Sequence, residues 1–254
     1  MNNQQPEGGI ATPLPSHIPP SYPITMPQFV RQEQRYEWDC GLACVDMVLA
    51  SCSLPLLSLQ TRNSPTDVWS VDLTHLLSAS LRADSSISPQ PPPHNIILYS
   101  TAISTAVNPS YATLPYYSQS FPKQALRLPT AFAEAKSLGV TLIERRISLE
   151  DIQTVLKTGN SRIILLCDAA LLTCTRASCI RALKKPRASS YSGHYVILHS
   201  LPLSFQPPSD SFALIIDPAT GTCKGGCQIS IASLESARSA LGTDNDVIMV
   251  VSVE

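Results

Sequence analysis

Gln34-Arg35-Tyr36-Glu37-Trp38-Asp39-Cys40-Gly41-Leu42-Ala43-Cys44 joins an extended, proline-interrupted segment to a run in which Leu42, Val45, Val48, Leu49 and Cys52 recur at helical spacing. The spacing predicts a buried helix opening at this stretch, with Asp39 as its N-cap and Cys40 on its first turn. Such a position activates a thiol. Unpaired backbone N–H groups and the positive end of the helix dipole favour the thiolate, the form of cysteine that attacks a carbonyl carbon. Gln34, six positions upstream, carries an amide able to donate to a developing oxyanion. Cys44, one turn beyond Cys40, is expected to be a packed core thiol.

Downstream, Gly193-His194-Tyr195-Val196-Ile197-Leu198 and Phe212-Ala213-Leu214-Ile215-Ile216-Asp217-Pro218 are short β-type runs, the second stopped by its proline. Their separation suits an antiparallel pair, in which the start of the first strand lies beside the end of the second. His194 and Asp217 then become neighbours, and a carboxylate beside an imidazole fixes its tautomer and stabilises its protonated form. Each residue has a plain alternative: a core cysteine, an edge histidine, the opening of an Asp-Pro turn. Together they read as a Cys40-His194-Asp217 constellation with Gln34 as oxyanion donor. His199, of opposite parity to His194, is expected on the other face.

Between these regions, helix and strand alternate. Val68 to Leu77 reads as a helix with Trp69, Leu73, Leu76 and Leu77 on one stripe, leaving Asp72 and His75 on its polar side with His75 at the surface. Residues 80–95 read as a Pro-rich surface insertion, Ile96 to Tyr99 as a strand and Ala106 to Tyr111 as a turn. Ala131 to Leu138 is predicted helical, Val140 to Glu144 a strand, Leu149 to Leu156 a helix and Arg162 to Cys167 a strand. Residues 1–24, rich in Pro, Gln and Ser, read as a disordered arm, and residues 25–254 as a single domain. The fold class expected is α+β of papain-like type, a cysteine-bearing helix packed on an antiparallel sheet that carries the histidine and the acid.

Whole-chain properties narrow the partners. Of 254 residues, 44% are hydrophobic and the formal net charge is -1, so a core is available and a broad basic field for nucleic acid is not. The basic cluster Arg181, Lys184, Lys185 and Arg187 reads as a solvated loop. No apolar run is long enough to span a bilayer and no secretory signal opens the chain, which suits a soluble cytoplasmic protein, with a nuclear location also open. Eight cysteines in a chain of this size are too sparse for a disulfide scaffold. Cys174-x4-Cys179 and Cys223-x3-Cys227 have knuckle-like spacings that leave a zinc site open. Neither a P-loop nor a G-x-G-x-x-G fingerprint is present.

The Tyr36-to-Cys44 core, Val68 to Leu73, Val107 to Tyr111, Leu171 to Cys174, Gly193 to Leu198, Ala237-Arg238 and Gly242 to Asp246 together resemble the soluble guanylyl-cyclase-domain family of plants, animals and fungi. The resemblance runs from about residue 25 to the end, apart from the Pro-rich insertion and the basic loop. That family is in turn similar to papain-like peptidases of double-glycine leaders, whose Gln, Asp-Cys-Gly, His and Asp-Pro correspond to Gln34, Cys40, His194 and Asp217. The resemblance therefore implies two activities. One is hydrolysis or transfer at an amide, thioester or isopeptide carbonyl of a peptide or acyl substrate, with no cofactor. The other is conversion of GTP to cyclic GMP with magnesium, for which Asp168, Asp217, Asp244 and Asp246 are the candidate carboxylates, although Asp244 and Asp246 also read as turn and capping residues. A shell retained as a binding module without chemistry is the third possibility.

Overall fold

The computed structural model describes residues 28–62, 68–83, 94–177, 179–180, 191–202 and 211–253. The expected N-terminal arm, the middle of the Pro-rich insertion and the basic cluster lie outside these residues. Within them, α1 (Cys40–Ser51) is buried around its whole circumference from Cys40 to Leu49, as a helix apolar on all sides must be. It is followed by a single turn, α2 (Leu59–Arg62), and by α3 (Ser70–Ala83). The chain then forms β1 (His94–Ser100), a 3-10 turn (Pro109–Thr113), α4 (Phe121–Ser137), β2 (Thr141–Glu144), α5 (Leu149–Leu156) and β3 (Ser161–Asp168). The last part consists of β4 (Gly193–Ser200), β5 (Phe212–Ile216), β6 (Cys227–Ser230), α6 (Ile231–Arg238) and β7 (Val247–Ser252).

One seven-stranded sheet, in the order β2-β1-β7-β3-β4-β5-β6, organises the fold. It is mixed: β2 runs parallel to β1, and the other pairings are antiparallel. The class is thus α+β, with a parallel edge in place of an all-antiparallel sheet. Side-chain alternation divides each central strand between two cores. Ile164, Leu166, Tyr195, Ile197, Ile248 and Val250 pack with α1, α3 and α4 on one face. Ile163, Leu165, Val196, Leu198, Val247 and Met249 pack with α5 and α6 on the other. Central strands covered on both faces need apolar residues at nearly every position, which β3 and β7 have.

Several elements differ in extent from the sequence expectation. α3 continues to Ala83, so residues 80–83 of the expected insertion are helical, and residues 94 and 95 belong to β1. α4 begins ten residues before Ala131, because Pro122 sits in its first turn, where no backbone N–H is needed, and Pro129 is carried on an exposed face inside it. His75 is half-buried rather than at the surface: its Nε2 lies 2.9 Å from the Ala131 carbonyl oxygen and links α3 to α4. No helix among the described residues is long and apolar enough to cross a membrane.

Candidate active site

The first turn of α1 meets the start of β4. Cys40 is the first residue of the helix, and Asp39 stands at the N-cap position without capping through its side chain. Its carboxylate turns back instead, accepting from the Arg35 N–H at 3.0 Å and the Tyr36 N–H at 3.0 Å, which fixes the loop that delivers Cys40. The Tyr195 N–H points at the Cys40 sulfur from 3.5 Å. Close contact between helix and strand depends on Gly41, where an added Cβ would lie 3.0 Å from both Leu73 and Tyr195 side-chain carbons.

His194, the second residue of β4, is buried, and its Nε2 lies 2.8 Å from Asp217 Oδ1. Asp217 follows β5 directly; the same Oδ1 also accepts the Ala219 N–H at 2.8 Å, so the carboxylate is held at both ends of its turn. Arg31 clamps that turn from outside, donating Nε to the Asp217 carbonyl oxygen at 2.9 Å and Nη2 to Thr222 Oγ1 at 2.8 Å. Burial alone would hold His194 neutral; the charge and hydrogen bond of Asp217, joined by a hydrogen bond to Cys40, outweigh it and push the imidazole up to about 9. Cys40, His194 and Asp217 thus share one polar network. Cys44, deeper on the same helix, is pushed well above the ordinary thiol range by burial, with Cys40, Asp217 and Cys167 adding to the effect.

Gln34 stands beside the Asp217 turn, its backbone N–H donating to the Pro218 carbonyl oxygen at 2.9 Å. Its Nε2 donates to the Tyr36 carbonyl oxygen at 2.8 Å, its Oε1 is buried without a partner, and the residue does not line the cavity beside Cys40. His199, which parity sets apart from His194, packs edge-on against Phe29 with ring centroids 6.0 Å apart.

A cavity of about 410 Å³ opens beside Cys40. Trp38, Trp69, Tyr111, Tyr116 and Tyr117 wall it, and Asp244 and Asp246 close its far side. The aromatic wall is a packed unit: Tyr117 stacks on Tyr111 at 4.8 Å and lies 5.1 Å from Trp69. The Tyr117 and Tyr191 hydroxyls both donate to the Gly242 carbonyl oxygen, at 2.9 and 2.7 Å. Gly242 has φ +113, and any Cβ there would lie 2.7 Å from the Tyr191 ring, so the turn into β7 requires glycine.

The next turn residue, Asp244, has φ +47, a conformation that Asp tolerates better than most side chains. Asp246 is more than a capping residue. Burial first, then the neighbouring Asp244 carboxylate, push it up to about 7. Ser70 Oγ donates to Oδ2 and the Ser100 side chain also bonds the carboxylate, while Oδ1 is buried without a partner of good hydrogen-bond geometry. Asp168 and Asp217 do not join this pair: Asp168 accepts the Ala170 and Ser192 N–H groups at 3.0 and 3.2 Å, and Asp217 belongs to His194. The sequence reading did not pick out the tyrosine wall, although Pro115-Tyr116-Tyr117-Ser118 places two large rings in a segment without periodicity, an unusual position for pure core residues.

A helix-borne thiol, a buried His-Asp pair and an aromatic cavity closed by two carboxylates define an enzyme-type pocket. The chain belongs to the guanylylate cyclase family, whose model matches residues 29–250. It is 31% identical over 224 residues to the protein named guanylyl cyclase 1 of Arabidopsis thaliana, a match covering 85% of this chain and 73% of that one.

Proposed function

We propose that this chain is an enzyme that forms cyclic GMP from GTP, with the Cys40 cavity as its reaction chamber. Family membership and the name of the plant relative support this reading above the acyl-transfer chemistry to which the sequence motifs gave first place. In the site, the supporting observation is the buried Asp246 Oδ1, without a partner of good hydrogen-bond geometry, beside a second carboxylate. An oxygen in that position is costly unless it receives a proton or a cation.

The residues fit a magnesium ion. Asp244 and Asp246 would hold it, and when bound it would neutralise phosphate charge and activate the ribose 3′-hydroxyl. None of the described residues lining the cavity is Lys or Arg, so neutralising a triphosphate would fall to an ion held by Asp244 and Asp246. The chain's own work is positioning. Trp69 and Tyr116, the partly exposed rings of the wall, offer faces on which a purine would stack, and their packing against the buried Tyr117 keeps them in place before substrate arrives. Purified chain incubated with GTP and increasing magnesium is expected to yield cyclic GMP by mass spectrometry, with activity lost in Asp244→Asn and Asp246→Asn. Absence of product at every magnesium concentration would overturn the reading.

A second reading rests on a specific observation, the 2.8 Å His194–Asp217 contact beside Cys40. In it, the Cys40 sulfur attacks a carbonyl carbon, His194 hands its proton to the departing amine or thiol, Asp217 keeps the ring oriented, and water releases the acyl group. These residues stand in the order of the papain-like peptidases that the sequence resembles. Gln34 enters this scheme as oxyanion donor by exchanging the Tyr36 carbonyl for substrate. Turnover of an acyl or isopeptide substrate, abolished in Cys40→Ala, is its expected signature.

A further inference from the structure

On the face of the sheet opposite Cys40, two loops bring four thiols to one point. Cys174 and Cys179 lie in the connection after β3, and Cys223 and Cys227 flank the turn between β5 and β6. Their four sulfur atoms all lie within 4.8 Å of one another. Cys174 and Cys223 are 3.9 Å apart, and Cys179 and Cys227 3.4 Å, well beyond the about 2.0 Å of a disulfide bond. A zinc ion bound tetrahedrally by four thiolates at about 2.3 Å sets its sulfur atoms about 3.8 Å apart. The observed spacings bracket that value, so the cluster needs only small shifts to close around an ion.

The loops are built to hold this geometry. The Thr175 N–H donates to the Gln228 carbonyl oxygen at 2.9 Å, the Ile180 N–H to the Gly221 carbonyl oxygen at 3.2 Å, and Cys174 forms a β-bridge with Ile229. The turn Cys223-Lys224-Gly225-Gly226-Cys227 closes with the Gly226 N–H on the Cys223 carbonyl oxygen at 3.0 Å. Gly226 has φ +89, and an added Cβ would lie 2.8 Å from Leu214, so glycine is what folds the two flanking thiols onto the same side. Simple core packing does not require four sulfurs in mutual contact: a small apolar side chain fills the same volume without placing soft metal ligands together.

We propose that Cys174, Cys179, Cys223 and Cys227 form a structural tetrathiolate zinc site. The four thiols release their protons as the ion binds, leaving a net double negative charge. Arg176 and Lys224, one within each cysteine loop, are the cations placed to offset it. The ion pins the loop that follows Asp217 to the connection that follows Asp168. Arg31 holds the near side of the Asp217 loop and zinc its far side, independently of which reaction the cavity carries out.

The test uses the full chain, purified and exchanged into metal-free buffer. Elemental analysis is expected to find one zinc per chain, released in step with mercurial titration of four thiols. The Cys174→Ser/Cys227→Ser variant is expected to lose the zinc and Cys52→Ser to retain it. Cobalt exchanged into the wild-type protein should give the visible and thiolate-to-metal absorption of a tetrahedral four-sulfur site, a readout that does not depend on the double variant folding. Less than about a tenth of an equivalent of zinc with all eight thiols free, stoichiometric iron in its place, or peptides crosslinked through these cysteines would each overturn the proposal.

Discussion

Cys40 and the four-cysteine cluster use one kind of side chain in opposite surroundings. At the start of α1 a single thiol meets an imidazole, a backbone N–H and an open cavity. At the β5–β6 turn each thiol meets other thiols, with no imidazole among them. The first setting gives a sulfur a proton partner and room for a substrate; the second gathers four sulfurs at the spacing a common ion would need. Cys44 is a third case, one turn from Cys40 and chemically silent, because it is enclosed in the apolar core without a cation. Neighbours, rather than position in the sequence, decide what a cysteine does.

The sharpest way to break this contrast is alkylation. With the cationic His194 ring against its sulfur, Cys40 is expected to react with iodoacetamide first among the eight cysteines, at least about tenfold faster than Cys44 near neutral pH. His194→Ala should remove that advantage and leave the slow labelling of the cluster unchanged. Peptide mass spectrometry across a time course measures both rates. Equal labelling of Cys40 and Cys44 would erase the distinction.

A smaller effect separates the two regions by pH. His194 holds its proton to about 9 in the folded chain, against about 6.5 when unfolded. Its charge pair with Asp217 therefore contributes fully below about pH 6.5 and is lost as pH rises through 9, a change on the order of 3 kcal/mol. Urea unfolding of the wild type should weaken over that window, and His194→Gln should flatten the dependence. A wild-type curve that strengthens above pH 8 would contradict the assignment.

The smallest effect concerns the contact that seats the thiol. Gly41→Ala drives a methyl into Leu73 and Tyr195, and is expected to cost about 1–2 kcal/mol while shifting the first turn of α1. Denaturant melts read the stability loss and the Cys40 labelling rate reads the displacement. No change in either would mean that β4 and α1 are less tightly joined than the contacts imply.

Legibility in the sequence followed the range of the interactions. α5 could be read residue for residue, since Leu149, Ile152 and Leu156 are periodic and Ser148 accepts the Asp151 N–H as a local cap. The first turn of α1 and the strands β4 and β5 are equally visible, which is why the sequence alone points to Cys40, His194 and Asp217. β6, α6 and β7 carry no comparable local signal. β7 lies inside the sheet between β1 and β3, yet its Val247-to-Val251 run has no alternation, and only partners far away in the chain make it a strand. Gln34 is legible by type and spacing, but the direction of its amide is set by a contact with the Tyr36 carbonyl oxygen that spacing does not reveal. The Asp244–Asp246 pair looked like turn chemistry because burial of Asp246 depends on Ser70 and the tyrosine wall, contributions from distant segments.

The most direct measurement is cyclic GMP formation by the wild-type, Cys40→Ala and Asp246→Asn chains, purified side by side and assayed with and without magnesium. Magnesium-dependent product from the wild type and from Cys40→Ala, reduced at least about a hundredfold in Asp246→Asn, is the expected result, because ribose hydroxyl attack has no step that requires a thiol. Absence of cyclic GMP from the wild type, or its loss in Cys40→Ala with Asp246→Asn unaffected, would contradict the cyclase reading and leave Cys40, His194 and Asp217 as the reacting groups.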